Sequence, residues 1–230
     1  MTDTARTEAL NAEIRQYIFE CFRAWGTPPV VELLMTRFGL TRERASQVLR
    51  ELEAAHHISL VPGTARILMA FPFSAIATPF RVTVDDDRYF ANCAWDAIAF
   101  HTMLRHAVVV ESFCDHCAEP IRIELSEGRA TRVEPPGVIV YLARTPSRWW
   151  DDITTTCGNT MVFFSSPEHR DASGRSETDA QGASLTPDQV LALSEPIYAT
   201  KFDLDYVRPT PVELGDHVAA IGLTDPYWQR

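Results

Sequence analysis

The chain predicts an α+β fold, with a small helical module ahead of a larger mixed-sheet domain carrying flanking helices. Three observations support this. In the first quarter of the sequence, apolar side chains recur at helical spacing. Beyond Ala75 they give way to short runs rich in β-branched and aromatic residues. At 230 residues, 46% hydrophobic and 23% charged, the chain is long and apolar enough to bury a substantial core.

The helical module opens with Ala5–Trp25, where Leu10, Ile14, Tyr17, Ile18, Cys21 and Phe22 form one apolar stripe. Thr27-Pro28-Pro29 interrupts it, and Pro is well placed to begin a second helix over Val30–Arg37, ended by Gly39. Thr41 reads as the N-cap of a third helix, with Arg44 where a capping box would carry Glu. Ala45, Val48, Leu49 and Leu52 continue the apolar face. His57–Pro62 and Arg66–Phe71, joined around Gly63, look like a short β-wing. Three helices and a wing make residues 1–74 a winged-helix-like domain, with 41–56 in the place of a recognition helix. Residues 1–75 carry eight Arg against eight Asp and Glu, and the whole chain has a net charge of −10, which argues against general attraction to nucleic acid. A packing or dimerisation module is therefore the favoured reading.

Residues 75–230 read as the catalytic domain. Strands are expected at Phe80–Val84, Ala107–Phe113, Ile121–Leu125, Val138–Leu142 and Met161–Phe164, with a helix over Tyr89–Leu104. Pro167–Ala183, rich in Ser, Asp, Gly and Arg, is expected to be an exposed loop, and Thr186-Pro187-Asp188 to open a helix over Gln189–Ala199. The tail beyond Lys201 gives no clear pattern, and there is no internal repeat. No apolar run approaches the roughly 18–20 residues of a membrane span. The polar N-terminus does not read as a secretory signal, so the expected compartment is the cytoplasm, with no membrane partner. Twenty of the 21 basic residues are Arg and the remaining one is Lys201, a bias attributed to base composition.

Five cysteines in a chain expected to stay in the cytoplasm point to free thiols, a metal site or catalysis rather than structural disulfides. In Asn92-Cys93-Ala94-Trp95-Asp96, Cys93 and Asp96 stand three apart on one helical face. With Asn92 as N-cap, Cys93 falls in the first turn, where the helix dipole favours a thiolate and lowers its pKa. An apolar pocket would raise the pKa of Asp96 and keep it protonated as a general acid. From spacing alone, a part-buried Cys beside a solvated Asp is the more ordinary alternative. Cys157, in Thr156-Cys157-Gly158-Asn159, is expected on a turn with its thiol exposed at a strand edge. Cys114-Asp115-His116-Cys117 is half of a zinc motif with no second half in the sequence; it lacks the helix a redox pair uses and reads as an ordinary turn, with adventitious metal binding as the remaining alternative. Cys21 belongs to the apolar stripe and to the core.

These residues resemble the alkylmercury (organomercurial) lyase family. The resemblance runs over Phe73-Ser74-Ala75-Ile76-Ala77-Thr78-Pro79, Asn92-Cys93-Ala94-Trp95-Asp96, and Cys157 with Phe163-Phe164, and it weakens after about Ser166. Gly158 stands where some relatives carry a second Cys. The resemblance implies that Cys93 and Cys157 bind mercury, with Asp96 beside them as proton donor and third contact. It implies cleavage of a carbon–mercury bond to a hydrocarbon and Hg(II), with no organic cofactor and with Hg(II) bound only as substrate or product. Trp95, Phe163 and Phe164 are candidates to wall the pocket, although core packing suits the two Phe better. Hg(II) would leave to cellular thiols or a mercuric reductase. Two other readings stay open: an enzyme using the same Cys-Asp-Cys set on a non-mercury substrate, and a winged-helix metal-responsive regulator. A non-catalytic metal carrier is a weaker third.

Overall fold

The computed structural model of the chain describes residues 3–175 and 182–229. Helix α1, Asp3–Trp25, buries Ile14, Ile18, Cys21 and Phe22 of the expected stripe and Phe19 besides, while Leu10 and Tyr17 are partly buried against the core. Helix α2, Val31–Phe38, ends at Gly39, whose φ of 65° is the left-handed conformation that glycine adopts without steric cost. Helix α3, Arg42–Ala54, starts at Thr41, whose hydroxyl accepts from the backbone N–H of Arg44 at 3.3 Å. Strands β1 (Ser59–Leu60), β2 (Ile67–Ala70) and β3 (Phe73–Ser74) follow as a small antiparallel sheet in that order.

Next comes a five-stranded sheet of order β5-β4-β6-β7-β8. Its strands are β4 (Arg81–Val84), β5 (Asp87–Phe90), β6 (Val108–Phe113), β7 (Pro120–Ser126) and β8 (Arg129–Glu134). Along β7, Ile121, Ile123 and Leu125 point inward while Arg122 and Glu124 alternate outward. A third sheet has the order β10-β9-β11, built from β9 (Ile139–Leu142), β10 (Met161–Phe164) and β11 (Ala183–Leu185). Every residue of β9 and β10 is buried, as befits strands covered on both faces.

Helix α4, Ala94–Leu104, is buried from Ala94 through Met103, and its sequence is accordingly apolar almost all round. It packs against a helix from late in the chain, Pro187–Tyr198. Between these two lie the one-turn helix α5 (Ile153–Thr155) and helix α6 (Pro167–Ala172), so the late helix is α7, and Pro211–Ala220 is α8. The N-terminal helices share this core. Phe22 stacks on Phe73 at 5.2 Å between ring centres, and Phe73 meets Phe100 of α4 edge-on at 4.8 Å. Arg15 of α1 is buried and donates to the backbone carbonyls of Lys201 and Asp203, which ties the first helix to the segment after α7.

The structure differs from expectation in four places. The helix expected over Tyr89–Leu104 does not begin at Tyr89: Tyr89 and Phe90 belong to strand β5. Asp85, in left-handed conformation, turns the chain so that β5 pairs with β4, and the helix begins only after Cys93. Pro167–Ala183 is not a continuous loop. Ser166 caps α6 through the N–H of His169, and Ala183 opens β11, while residues 176–181 lie outside the described residues. The sheets are antiparallel at every described pairing rather than mixed, because tight turns join β4 to β5 and β7 to β8, and a short loop joins β6 to β7. The tail contains a helix, α8, closed at its start by a capping box between Thr210 and Glu213. Among the described residues no helix is long and apolar enough to cross a membrane.

Candidate active site

Cys93 is itself the N-cap of α4. Its backbone is extended, and its Sγ accepts the N–H of Asp96 at 3.3 Å. The cap falls one residue later than expected, and Asn92 turns inward instead. The side-chain amide of Asn92 donates to the Pro72 carbonyl at 3.0 Å and to Asp96 Oδ2 at 3.1 Å. The other carboxylate oxygen, Oδ1, accepts from the Tyr198 hydroxyl at 2.5 Å, at the last residue of α7. Asp96 is 2% exposed, and burial raises its pKa above the usual carboxylate range. Hydrogen bonds from Tyr198 and Asn92, and the charge of Lys201, pull the other way without prevailing.

Cys157 comes from a separate part of the chain. Asp152 caps α5 through the Thr155 N–H, and the backbone then widens into one π-helical turn over Thr156–Thr160 before β10 begins. Cys157 lies in that turn and is buried, at 3% exposure, not exposed at a strand edge as the flanking Gly158-Asn159 had suggested. Packing explains the difference: Thr156 beneath it is fully buried, and its hydroxyl accepts from Arg144 at 3.2 Å.

The fold therefore brings together residues 64 positions apart in sequence. One ligand atom each from Cys93, Asp96 and Cys157 lies within 4.8 Å of the others, and all three residues are buried. Neither thiol is poised as a thiolate. Burial is the main reason the Cys93 pKa stands well above the usual thiol value, helped by its hydrogen bond with Cys157 and the nearby Asp96 charge. This reverses the lowered value expected from the helix dipole, because a fully buried sulfur loses more solvation than a helix N-terminus returns. For Cys157 the hydrogen bond with Cys93 acts downward, but burial and Asp96 outweigh it and the thiol is raised.

Around this trio is a pocket of about 440 Å³, counting its open mouth, walled by Phe71, Trp95, Trp149, Trp150 and Met161. Met161 Sδ lies 3.8 Å from Cys93 Sγ. Trp95 is held by its indole N–H on Ser194 at 2.8 Å and by an edge contact with Trp149. Phe163 and Phe164 are fully buried in the core and do not line the pocket. Lys201, the sole lysine of the sequence, does line it. It is 1% exposed, with its ammonium 4.7 Å from the centre of the Tyr198 ring. Burial, aided by Arg208, brings its pKa down to about 7 against the opposing pull of Asp96.

Residues 73–199 match the family model for alkylmercury lyase, MerB. That stretch is more than half of the chain and contains all three residues of the trio. The chain belongs to the alkylmercury lyase family. Alkylmercury lyases of Bacillus cereus and Clostridium butyricum are each 30% identical to it over 144 residues, 63% of this chain and 63% of the relative. The chain thus matches a little under two thirds of the length of these relatives. A crystal structure of the mercury-bound form of MerB2 shares the fold, with a TM-score of 0.67 at 22% identity, over 83% of this chain and 88% of that one.

Within the family frame, sequence reading found the trio but missed its holders. Tyr198 and Lys201 lie about 100 residues beyond Asp96 and carry no motif. The uniqueness of Lys201 was the one available signal, and it was attributed to base composition. Cys114 and Cys117 lie outside this pocket.

Proposed function

We propose that this protein is an organomercurial lyase, converting R–Hg(II) compounds to the hydrocarbon R–H and Hg(II). Cys93 and Cys157 are the mercury ligands in this reading, and Asp96 is the proton donor. The observation that carries it is the convergence of two sulfurs and one carboxyl, all buried, within 4.8 Å of one another. Mercury(II) is soft and takes thiolate sulfur in preference to nitrogen or oxygen. One thiol captures R–Hg⁺ and gives up its proton. The second then adds to the metal and weakens the Hg–C bond. Asp96 accepts a thiol proton and hands it to the departing carbon. Overall, two S–H bonds and one Hg–C bond break, two Hg–S bonds and one C–H bond form, and one proton leaves to solvent.

The raised pKa of Asp96 suits this role, since a carboxylate of more than usual basicity can take the thiol proton and then deliver it to carbon. Tyr198 and Asn92 fix the two carboxylate oxygens, and Lys201 offsets the negative charge that builds on the sulfurs. The aromatic walls suit an apolar R group. The reaction needs no organic cofactor in this reading. Hg(II) is passed to cellular thiols or a mercuric reductase, and the protein works in the cytoplasm.

Residues 1–74 act, in the same proposal, as a winged-helix-like packing module for the catalytic domain of residues 75–230, with no nucleic-acid partner. Two cations at the start of α3 are already engaged: Arg42 with Glu32 at 2.5 Å and Arg44 with Glu51 at 3.1 Å.

The test is release of benzene from phenylmercury, or methane from methylmercury, with excess thiol present. The wild type is expected to turn over, and Cys93→Ser, Cys157→Ser and Asp96→Asn to lose turnover. A wild-type protein that binds Hg(II) but releases no hydrocarbon overturns the proposal in favour of a metal carrier or a different substrate.

A further inference from the structure

The second pair of cysteines does not stand alone. Cys114 ends the approach of β6 and Cys117 lies in the turn before β7, so both sit in one tight loop. The Cys114 N–H donates to the Glu119 carbonyl at 2.8 Å, the Ala118 N–H donates to the Cys114 carbonyl at 2.9 Å, and Ala118 is in left-handed conformation. This folds the two sulfurs to the same side. The third member comes from α6, 52 residues after Cys117. His169 Nδ1 lies 3.6 Å from Cys114 Sγ and 3.5 Å from Cys117 Sγ. The three ligand atoms all fall within 4.8 Å of one another.

We infer that Cys114, Cys117 and His169 form a zinc site, separate from the Cys93–Cys157 pocket and independent of the reading given to it. Zinc takes sulfur at about 2.3 Å and imidazole nitrogen at about 2.0–2.1 Å in a tetrahedral shell. Those bond lengths at a tetrahedral angle place sulfur and nitrogen about 3.6 Å apart, the separation found here on both sulfur–nitrogen edges. The donor set of two thiolates and one imidazole belongs to a borderline-soft divalent ion, and Cys117 at the exposed edge leaves the fourth position to solvent. Ser165 and the backbone N–H groups of His116 and Cys117 surround the Cys114 sulfur as hydrogen-bond donors. Ser165 also contacts His169 Nδ1 at 2.5 Å, and zinc would displace that contact.

The consequence is structural. The loop belongs to the five-stranded sheet, whereas His169 follows β10 of the three-stranded sheet. The two already meet where the Asp115 N–H donates to the Phe163 carbonyl at 3.0 Å. A metal bound here clamps the β6–β7 loop to the end of β10, the strand whose other end adjoins the Cys157 turn.

The experiment is metal binding to the chelator-stripped full chain. Zn²⁺ is followed by equilibrium dialysis with metal analysis, and Co²⁺ by its thiolate charge-transfer and tetrahedral ligand-field absorption. The expected result is one tightly bound ion per chain with a tetrahedral thiolate spectrum. It should survive in the Cys93→Ser/Cys157→Ser double variant and weaken by about a hundredfold or more in Cys117→Ser and in His169→Ala. Cys117 is exposed, so its replacement leaves the core intact, and circular dichroism of that variant verifies the fold. Zn²⁺ should also raise the melting temperature of the wild type but not of Cys117→Ser. Three results overturn the inference: no tight binding by wild type, binding lost only with Cys93 and Cys157, or wild-type affinity in both Cys117→Ser and His169→Ala.

Discussion

The two cysteine clusters differ in what the fold does to the same element. At Cys93–Asp96–Cys157 every donor is buried, both thiols are raised above their ordinary range, and the carboxyl holds its proton to higher pH than usual. At Cys114–Cys117–His169 one thiol is exposed, and Cys114 is lowered to about 6 by hydrogen bonds that favour its anion. A site that must move protons keeps them until its substrate arrives. A site that holds a resident cation gains by having released them already. Burial and hydrogen-bond donors, rather than residue type, set the difference.

The largest expected effect comes from removing the proton of the buried cluster. Asp96→Asn keeps the shape of the side chain and leaves both sulfurs in place. Turnover of phenylmercury should fall by about a hundredfold to ten-thousandfold. Titration of the variant with Hg(II) should still find one ion held by Cys93 and Cys157. Unchanged benzene release would remove Asp96 as the donor, and with it the functional half of the contrast.

The next effect is a difference in thiol reactivity. With the metal stripped and the pH near neutral, iodoacetamide should label exposed Cys117 first and faster than buried Cys93 or Cys157 by a factor of about ten or more, in the order set by access. Peptide mass mapping over a time course measures this, and added Zn²⁺ should suppress the Cys117 signal. Labelling of Cys93 as fast as Cys117 would mean that the pocket is open in solution and that burial does not separate the clusters.

A smaller effect appears in stability against pH. Lys201 lines the buried cluster, and His57 lies outside the pocket but within reach of the Lys201 charge; both are suppressed bases. His57 is brought down to about 3, chiefly by burial and then by the charges of Lys201, Arg15 and Arg208. Lys201 is brought down to about 7. For a base with a lowered folded pKa, the unfolded chain binds more protons between the two values, so stability is lost on acidification. Lys201 should cost stability as the pH falls from its ordinary range to about 7, and His57 as it falls from about 6.5 to about 3. Each unit is worth about 1.4 kcal/mol at most, so His57 accounts for a few kcal/mol. Urea unfolding of wild type and His57→Gln across that window should show a flatter acid limb in the variant. Equal slopes would mean that the imidazole is solvated enough to titrate normally.

What could be read from the chain, and what could not, divides along the same line. Helical periodicity placed α1 and α3, and the Thr41 cap was legible because capping is local. Cys93 and Asp96 were readable as a pair because a spacing of three is a property of one helix. Cys157 was joined to them through family resemblance, and its burial was not foreseen, since Gly158-Asn159 signals a turn but not what packs over it. Tyr198 reaches Asp96 because α7 lies against α4 through the bond from Trp95 to Ser194, and no local pattern encodes that docking. His169 was missed for the same reason. The sequence offers half of a zinc motif, and the other ligand sits on a helix inside a stretch whose polar composition suggested a loop. Strand β8 was missed because its exposed edge residues, Arg129 and Arg132 among them, carry no apolar alternation.

The smallest expected effect tests whether the clusters communicate at all. Arg175 spans them: its Nε meets Asp115 Oδ2, within the Cys114–Cys117 loop, at 2.6 Å, and its Nη1 donates to the Asn159 carbonyl in the Cys157 turn. Both partners of the ion pair are about 30% exposed, so the pair is worth roughly 0.5–1 kcal/mol. Arg175→Ala should therefore lower the melting temperature by only a few degrees. Its more informative readout is coupling. If Arg175 links the two turns, Zn²⁺ binding should slow alkylation of Cys157 in the wild type and do so less in Arg175→Ala. Zn²⁺ protection of Cys157 that is identical in both proteins would assign the linkage to the Asp115–Phe163 backbone bond alone, leaving Arg175 as a surface ion pair.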